Sequence, residues 1–138
     1  MELVFDIETD GLNPTVIWCL VAIDETGDVY KYYEDTLDEG IKLLQEADKI
    51  IGHNIIGYDI PVIKKLKGVD LYNPNKVVDT LVLSRLFNPT REGGHSIAKW
   101  GYKLGLPKKD SPEWTCFTKE MLDYCEQDVV INNKLFNY

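Results

Sequence analysis

Residues 4–12 read V-F-D-I-E-T-D-G-L. An apolar run gives way to three closely spaced carboxylates, Asp6, Glu8 and Asp10, and a turn dipeptide, Asp10-Gly11. Side chains on a strand alternate between faces, so Asp6 and Glu8 project the same way from the end of a strand beginning near Leu3. Two such carboxylates leave water cheaply only if a cation neutralises them. Oxygen donors alone favour Mg²⁺ or Mn²⁺ over zinc. Asp10 reads as an ordinary turn residue. D-I-E-T-D-G also matches the opening of an EF-hand calcium loop, with acids at the first, third and fifth positions and glycine at the sixth. That loop needs a glutamate at its twelfth position, where this chain has Ile17.

Outward from this stretch, strand patterns cover 16–24 and 28–33, joined by a hairpin turn at Thr26-Gly27. Thr36 or Asp38 caps a helix through Ala47 that buries Ile41, Leu44 and Ala47. A short strand over 49–52 leads into G-H-N. A helix over 59–67 carries Pro61 in its first turn, where proline is tolerated. A strand end at 76–79 precedes a helix over 80–87. His95-Ser96 caps a helix through Leu104, stopped by Gly105 and Pro107. Thr118 caps a last helix that runs close to the C-terminus. Strands first, then helices interleaved with short strands, predict an α/β fold with a mixed central β-sheet flanked by helices.

Two further segments offer ligands to the Asp6–Glu8 pair. N-I-I-G-Y-D (54–59) ends in Asp59 at a helix start, where an aspartate is also simply favoured by the helix dipole. In Y-C-E-Q-D (124–128), Tyr124 and Asp128 are four residues apart and share a helix face. Leu122, Cys125, Val129 and Phe136 flank that face as core, while Asp123 and Glu126 fall on solvated faces. An unpaired aspartate at the core boundary is costly, which marks Asp128.

The 138 residues fit one domain, expected to span 1–138, with the 44% hydrophobic and 28% charged content of an ordinary globule. No apolar run approaches the roughly 20 residues of a membrane span, and the N-terminus lacks the pattern of a signal peptide. No membrane contact and a cytoplasmic location are expected. Cys19, Cys116 and Cys125 are widely spaced and odd in number, as expected of reduced core thiols. The net charge of −8 opposes nucleic-acid binding, but its distribution does not. From Arg85 to Lys109 there are six bases (Arg85, Arg91, Lys99, Lys103, Lys108, Lys109) against the single acid Glu92. Such a strip is either a solvated face or a track for phosphates.

D-I-E-T-D-G-L, N-I-I-G-Y-D and Y-C-E-Q-D resemble the three motifs of the DEDDy 3′→5′ exonucleases, the DnaQ-like group with a ribonuclease H-like fold. The likeness is strongest to the proofreading domain of podophage family A DNA polymerases. H-N-I-I-G-Y-D-I-P, V-D-T-L-V-L-S-R-L and A-K-W-G-Y-K-L-G extend it over nearly the whole chain. One branch of the family has a histidine five positions before the final aspartate, where this chain has Asp123. The other has a tyrosine four positions before it, and Tyr124 fits.

The resemblance implies two-metal phosphodiester hydrolysis with two Mg²⁺ or Mn²⁺. Asp6, Glu8 and Asp128 would hold the first ion, Asp6 would bridge to the second with Asp59, and Tyr124 would orient the attacking water beside Glu8. Thr9 and Leu12 match positions that meet the terminal nucleotide, although Leu12 suits a core anchor equally. Asn54 and Tyr58 match positions near the penultimate one. Trp100 and Tyr102 either stack on bases or pack in the core, the latter favoured for Trp100. His53 is expected to be structural and His95 to contact phosphate. The implied function is a single 3′→5′ exonuclease domain acting on the 3′ end of single-stranded or frayed DNA and releasing nucleoside monophosphates. An exoribonuclease and a non-catalytic nucleic-acid-binding module are the alternatives. The implied partners are DNA, or RNA under that alternative, and a polymerase partner or parent polymerase chain. A phage-encoded enzyme would work in the host cytoplasm. The stretch 107–114 is expected to be shorter than its counterpart in the polymerase domains.

Overall fold

The structure is a computed structural model that describes residues 1–87, 94–105 and 115–137. Its strands are β1 (Glu2–Thr9), β2 (Ile17–Asp24), β3 (Val29–Tyr33), β4 (Lys49–Gly52) and β5 (Val77–Asp79). They form one mixed sheet in the order β3-β2-β1-β4-β5. β1, β2 and β3 pair antiparallel, and β4 and β5 add to the other edge of β1 in parallel. The helices are α1 (Leu37–Glu46), α2 (Ile60–Lys67), α3 (Thr80–Phe87), α4 (Ile97–Leu104) and α5 (Lys119–Phe136). Among the described residues no helix is long and apolar enough to cross a membrane.

The alternation of β1 divides the core. Leu3, Phe5 and Ile7 pack with Ile41 and Leu44 of α1 and Ile60 and Ile63 of α2 on one face. Val4 faces the other way, with Cys19, Val21, Ile23 and Ile51 beneath Met121, Cys125 and Val129 of α5. Asp6 and Glu8 share the parity of Val4, so they lie on the α5 face. Burial of both faces accounts for the near-continuous apolar character of β1 and β2. The register between them shifts after Glu8, which pairs with Cys19 while Thr9 pairs with Ile17. The extra residue in β2 makes a bulge beside the acidic end of β1, and such bulges re-aim side chains.

The hairpin turn is as expected. Gly27 has φ 93° and its amide bonds Asp24 O at 3.0 Å. Thr118 caps α5, its hydroxyl oxygen accepting from Met121 N at 3.1 Å. Ser96 caps α4 by accepting from Lys99 N. Thr36 makes no side-chain cap to α1; its hydroxyl bonds Tyr33 N and O instead. A five-residue π turn over Ile55–Asp59 precedes α2, where the sequence pattern predicts only a helix start. Cys19 and Cys125 are buried, but Cys116 is exposed and no core thiol. Glu126 is not merely solvated: it ion-pairs with Lys31 Nζ at 2.8 Å. Of the basic strip, Arg85, Lys99 and Lys103 are exposed. Arg91, Lys108, Lys109, the stretch 107–114 and the Tyr102 side chain lie outside the described residues.

Candidate active site

β4 pairs with β1 only as far as Val4, leaving this edge of β1 open at Asp6 and Glu8. At Gly52 the chain leaves the sheet so tightly that a Cβ would lie 2.2 Å from Ile55 Cγ2 and 3.1 Å from Phe5 O. It then passes through Asn54, whose φ of 63° is left-handed, into the π turn. Asp79, at the end of β5, stabilises this path. Its Oδ1 accepts from Asn54 N and Leu81 N, both at 2.9 Å, and its Oδ2 accepts from Ile56 N at 3.0 Å. One buried carboxylate thus caps α3 and fixes the start of the π turn, which ends in Asp59.

Asp59 is only 3% exposed and sits against Asp6, with the Ile7 amide donating to its carboxylate. From the other side α5 contributes Cys125 and Asp128, with Tyr124 half-buried one turn before Asp128. Ligand atoms of Asp6, Glu8 and Cys125 all lie within 4.8 Å of one another. The Cys125 thiol donates weakly to Asp6 O at 3.5 Å and Oδ2 at 3.9 Å. Asp128 lies close enough to Glu8 to raise its pKa. The four sequence-predicted carboxylates therefore converge from β1, the π turn and α5.

Electrostatics show the cost of this convergence. Burial, then the charges of Asp6 and Asp128, pushes Glu8 up to about 11. Burial, then Asp6, holds Asp59 well above the usual carboxylate range. Burial raises the Cys125 thiol, with help from Cys19 and Asp6, so it stays protonated. Asp59 Oδ2 is buried with no hydrogen-bond partner. A cation-free cluster of this kind keeps protons that a divalent ion would displace. The oxygen donors and the orphaned Oδ2 fit a hard divalent cation such as Mg²⁺ or Mn²⁺.

Residues 3–105 match the family model of the RNase H superfamily. The chain belongs to the RNase H superfamily. It is 30% identical to the DNA-directed DNA polymerase of Enterobacteria phage T3 over 183 residues, covering 96% of the chain and 26% of that polymerase. The polymerase of Escherichia phage T7 is 29% identical over 180 residues, with the same coverage. The chain thus spans about a quarter of the length of these relatives. The alignments are longer than 138 residues, so the polymerases carry extra residues within the matched region. Among solved structures, Brucella melitensis NrnC bound to pGG superposes with a TM-score of 0.78 at 21% identity, covering 99% of this chain and 70% of that one. The family B DNA polymerase of Pyrobaculum calidifontis superposes with a TM-score of 0.73 at 15% identity, over 99% and 24%. The fold is the RNase H-like fold expected from the motifs.

In this RNase H-superfamily chain two cavities flank the carboxylates. One, of about 200 Å³, is lined by Glu8, Thr9, Gly11, Leu12 and Tyr58. The Tyr58 hydroxyl donates to Gly11 O at 2.7 Å and meets Thr9 Oγ1 at 2.6 Å, tying the π turn to the loop after β1. Leu12 is 96% exposed at its rim, so it is no core anchor. Asp10 closes the same loop by accepting from Thr15 N at 2.8 Å and Val16 N at 3.2 Å, and these bonds with the Thr15 hydroxyl hold it down at about 2.

The other cavity, of about 450 Å³, has Asp6 and Asp128 at one side and Asn54, Arg85 and His95 at the other. His53 is structural: its Nε2–H donates to His95 O at 2.7 Å and its Nδ1 bonds Thr80 Oγ1 at 2.9 Å. Burial lowers its pKa to about 4, so it is neutral. Trp100 is buried and donates to Ser84 Oγ at 2.9 Å, which places it in the core. Sequence reasoning placed Cys125 in the core beside the Tyr124–Asp128 face but missed Asp79 and the contact of Cys125 with Asp6. An aspartate between a strand and Thr-Leu-Val is an N-cap signal that was available. Cys125 is next to Tyr124 and three residues before Asp128, so its side of α5 was readable too.

Proposed function

We propose that this chain is a metal-dependent 3′→5′ exodeoxyribonuclease, a single domain over 1–138 that releases nucleoside monophosphates from a DNA 3′ end. The observation that carries this reading is the convergence of Asp6, Glu8, Asp59 and Asp128 on one partly dehydrated site. At neutral pH such a cluster either keeps protons or takes up cations in their place. A structural or binding role would not need all four acids, which argues against a non-catalytic module. Similarity to phage DNA polymerases supports DNA as the substrate class.

Asp6, Glu8 and Asp128 would hold one divalent ion, and Asp6 with Asp59 a second. Such a pair supplies the positive charge that the attacking and leaving oxygens of an in-line displacement require. The protein's own groups do the rest. Tyr124 orients the attacking water rather than deprotonating it, and Glu8 shares that hydrogen bond. Thr9 and Tyr58 hold the loop that presents Leu12 as an apolar wedge to the last base. Asn54 faces the nucleotide before it.

The test is incubation of the purified protein with end-labelled single-stranded DNA and RNA in Mg²⁺, Mn²⁺ or EDTA. Metal-dependent, stepwise loss from the 3′ end of DNA is expected, with RNA cut slowly or not at all. Asp6→Ala should slow DNA cleavage by several decades, because Asp6 is assigned to both ions. Normal cleavage by that variant would show the site to be misassigned.

A further inference from the structure

The roughly 450 Å³ cavity beside Asp6 and Asp128 has a built polar wall. Arg85, from the last turn of α3, is the one cation among its described lining residues. Arg85 forms no ion pair with any described carboxylate. His95 stands at the same wall under control of a buried relay. Trp100 Nε1–H donates to Ser84 Oγ at 2.9 Å, and Ser84 Oγ lies 2.6 Å from His95 Nδ1. Ser84 Oγ thus accepts from Trp100 and also hydrogen-bonds the His95 ring at Nδ1. Nε2 is the ring nitrogen of His95 that lies outside this relay. His53 fixes the backbone of the same residue through His95 O.

This wall lies on the Asp6/Asp128 side of the cluster, while Glu8, Thr9, Leu12 and Tyr58 line the smaller cavity. A strand whose scissile phosphate sits on the carboxylates must leave through one cavity and end in the other. The smaller, Leu12-rimmed cavity suits one terminal nucleotide. The larger one suits the strand that continues upstream. Four acids repel a phosphodiester chain, and a guanidinium next to them offsets that repulsion where the chain enters.

We propose that this cavity is a phosphate subsite for the nucleotide upstream of the scissile bond, with Arg85 supplying charge and His95 Nε2 a hydrogen bond. The subsite rests on the exonuclease reading and adds a substrate-length requirement to it. Full activity then needs a phosphate beyond the one that is cut.

Two substrates separate the subsite from the cutting site. Thymidine 5′-(p-nitrophenyl) phosphate keeps the terminal nucleoside and the scissile phosphate but has nitrophenol in place of the upstream strand. A thymidine decanucleotide has both. Arg85→Ala is expected to lower the ratio of kcat/KM on the decanucleotide to that on the ester by about 10–100-fold, the range for a charge-assisted contact. His95→Ala should lower it by about 3–10-fold. The salt dependence of decanucleotide binding should lose about one unit of slope in Arg85→Ala. An unchanged ratio with an unchanged slope, or equal losses on both substrates, overturns the subsite. Wild-type protein that cleaves neither compound overturns the exonuclease reading instead, and the salt slope then still decides whether Arg85 meets phosphate.

Discussion

Asp6 is the residue on which the other acids lean. Its charge is among the causes that raise both Glu8 and Asp59, and in the metal-free chain no cation offsets that repulsion. Asp6→Asn removes the charge while keeping the shape, so it is expected to raise the thermal midpoint of the EDTA-treated protein while abolishing cleavage. Calorimetry with and without Mn²⁺ checks this, and the gain should shrink or reverse when Mn²⁺ is present. Stability given up for function at a reactive site is a common trade. Leu12 shows the opposite limit: an apolar side chain left 96% exposed, whose placement no stability argument explains.

Among the elements, the segment from β4 to α2 is the most constrained. Asp79 holds it through two short backbone contacts and caps α3 through a third. Asp79→Ala leaves those amides in a buried setting without an acceptor, at a cost of about 1–3 kcal/mol. Denaturant unfolding should show that loss, together with weaker Mn²⁺ binding, because Asp59 sits at the far end of the same turn. Asp79→Asn should recover part of it, since one amide oxygen can still accept. Regular elements were legible in the residues: the parity of Asp6 and Glu8, the four-residue step from Tyr124 to Asp128, and Thr118 as a cap all follow from local periodicity. The π turn and the bulge opposite Glu8 were not, because each depends on where neighbouring strands end rather than on its own sequence. The exposure of Cys116 and the ion pair of Glu126 with Lys31 were illegible for the same reason.

In the whole molecule, these sites couple folding to pH and to metal. Glu8 has an ordinary value of 4.5 and a folded value of about 11. The folded, metal-free chain therefore keeps a proton that the unfolded chain releases. That contribution to stability is complete below pH 4.5 and is lost progressively as pH rises toward 11. His53 acts in the reverse sense below its ordinary 6.5 and drops out above it. Between about pH 7 and about pH 9 the metal-free midpoint should thus fall as pH rises, and saturating Mn²⁺ should flatten the slope. A midpoint that rises over this range without metal would contradict the buried acidic cluster. The assembly of this cluster from three distant segments was legible only through motif resemblance, since no local pattern brings residue 6 to residue 128.

The five-residue turn before α2 has a consequence for which changes in chain length the protein tolerates. Asn54 is pinned at one end by Asp79, and Ile60 and Ile63 are pinned at the other by the core. Losing one residue between them would tighten the turn and rotate everything after it by about 100°. Either Asp59 would swing away from Asp6, or Pro61 and Lys64 would point inward where Ile60 and Ile63 now pack. A substitution that keeps the residue count, even at Gly57, disturbs far less than a deletion that looks conservative on paper. Insertions and deletions should therefore be rare in this segment of related chains and common in the surface loops.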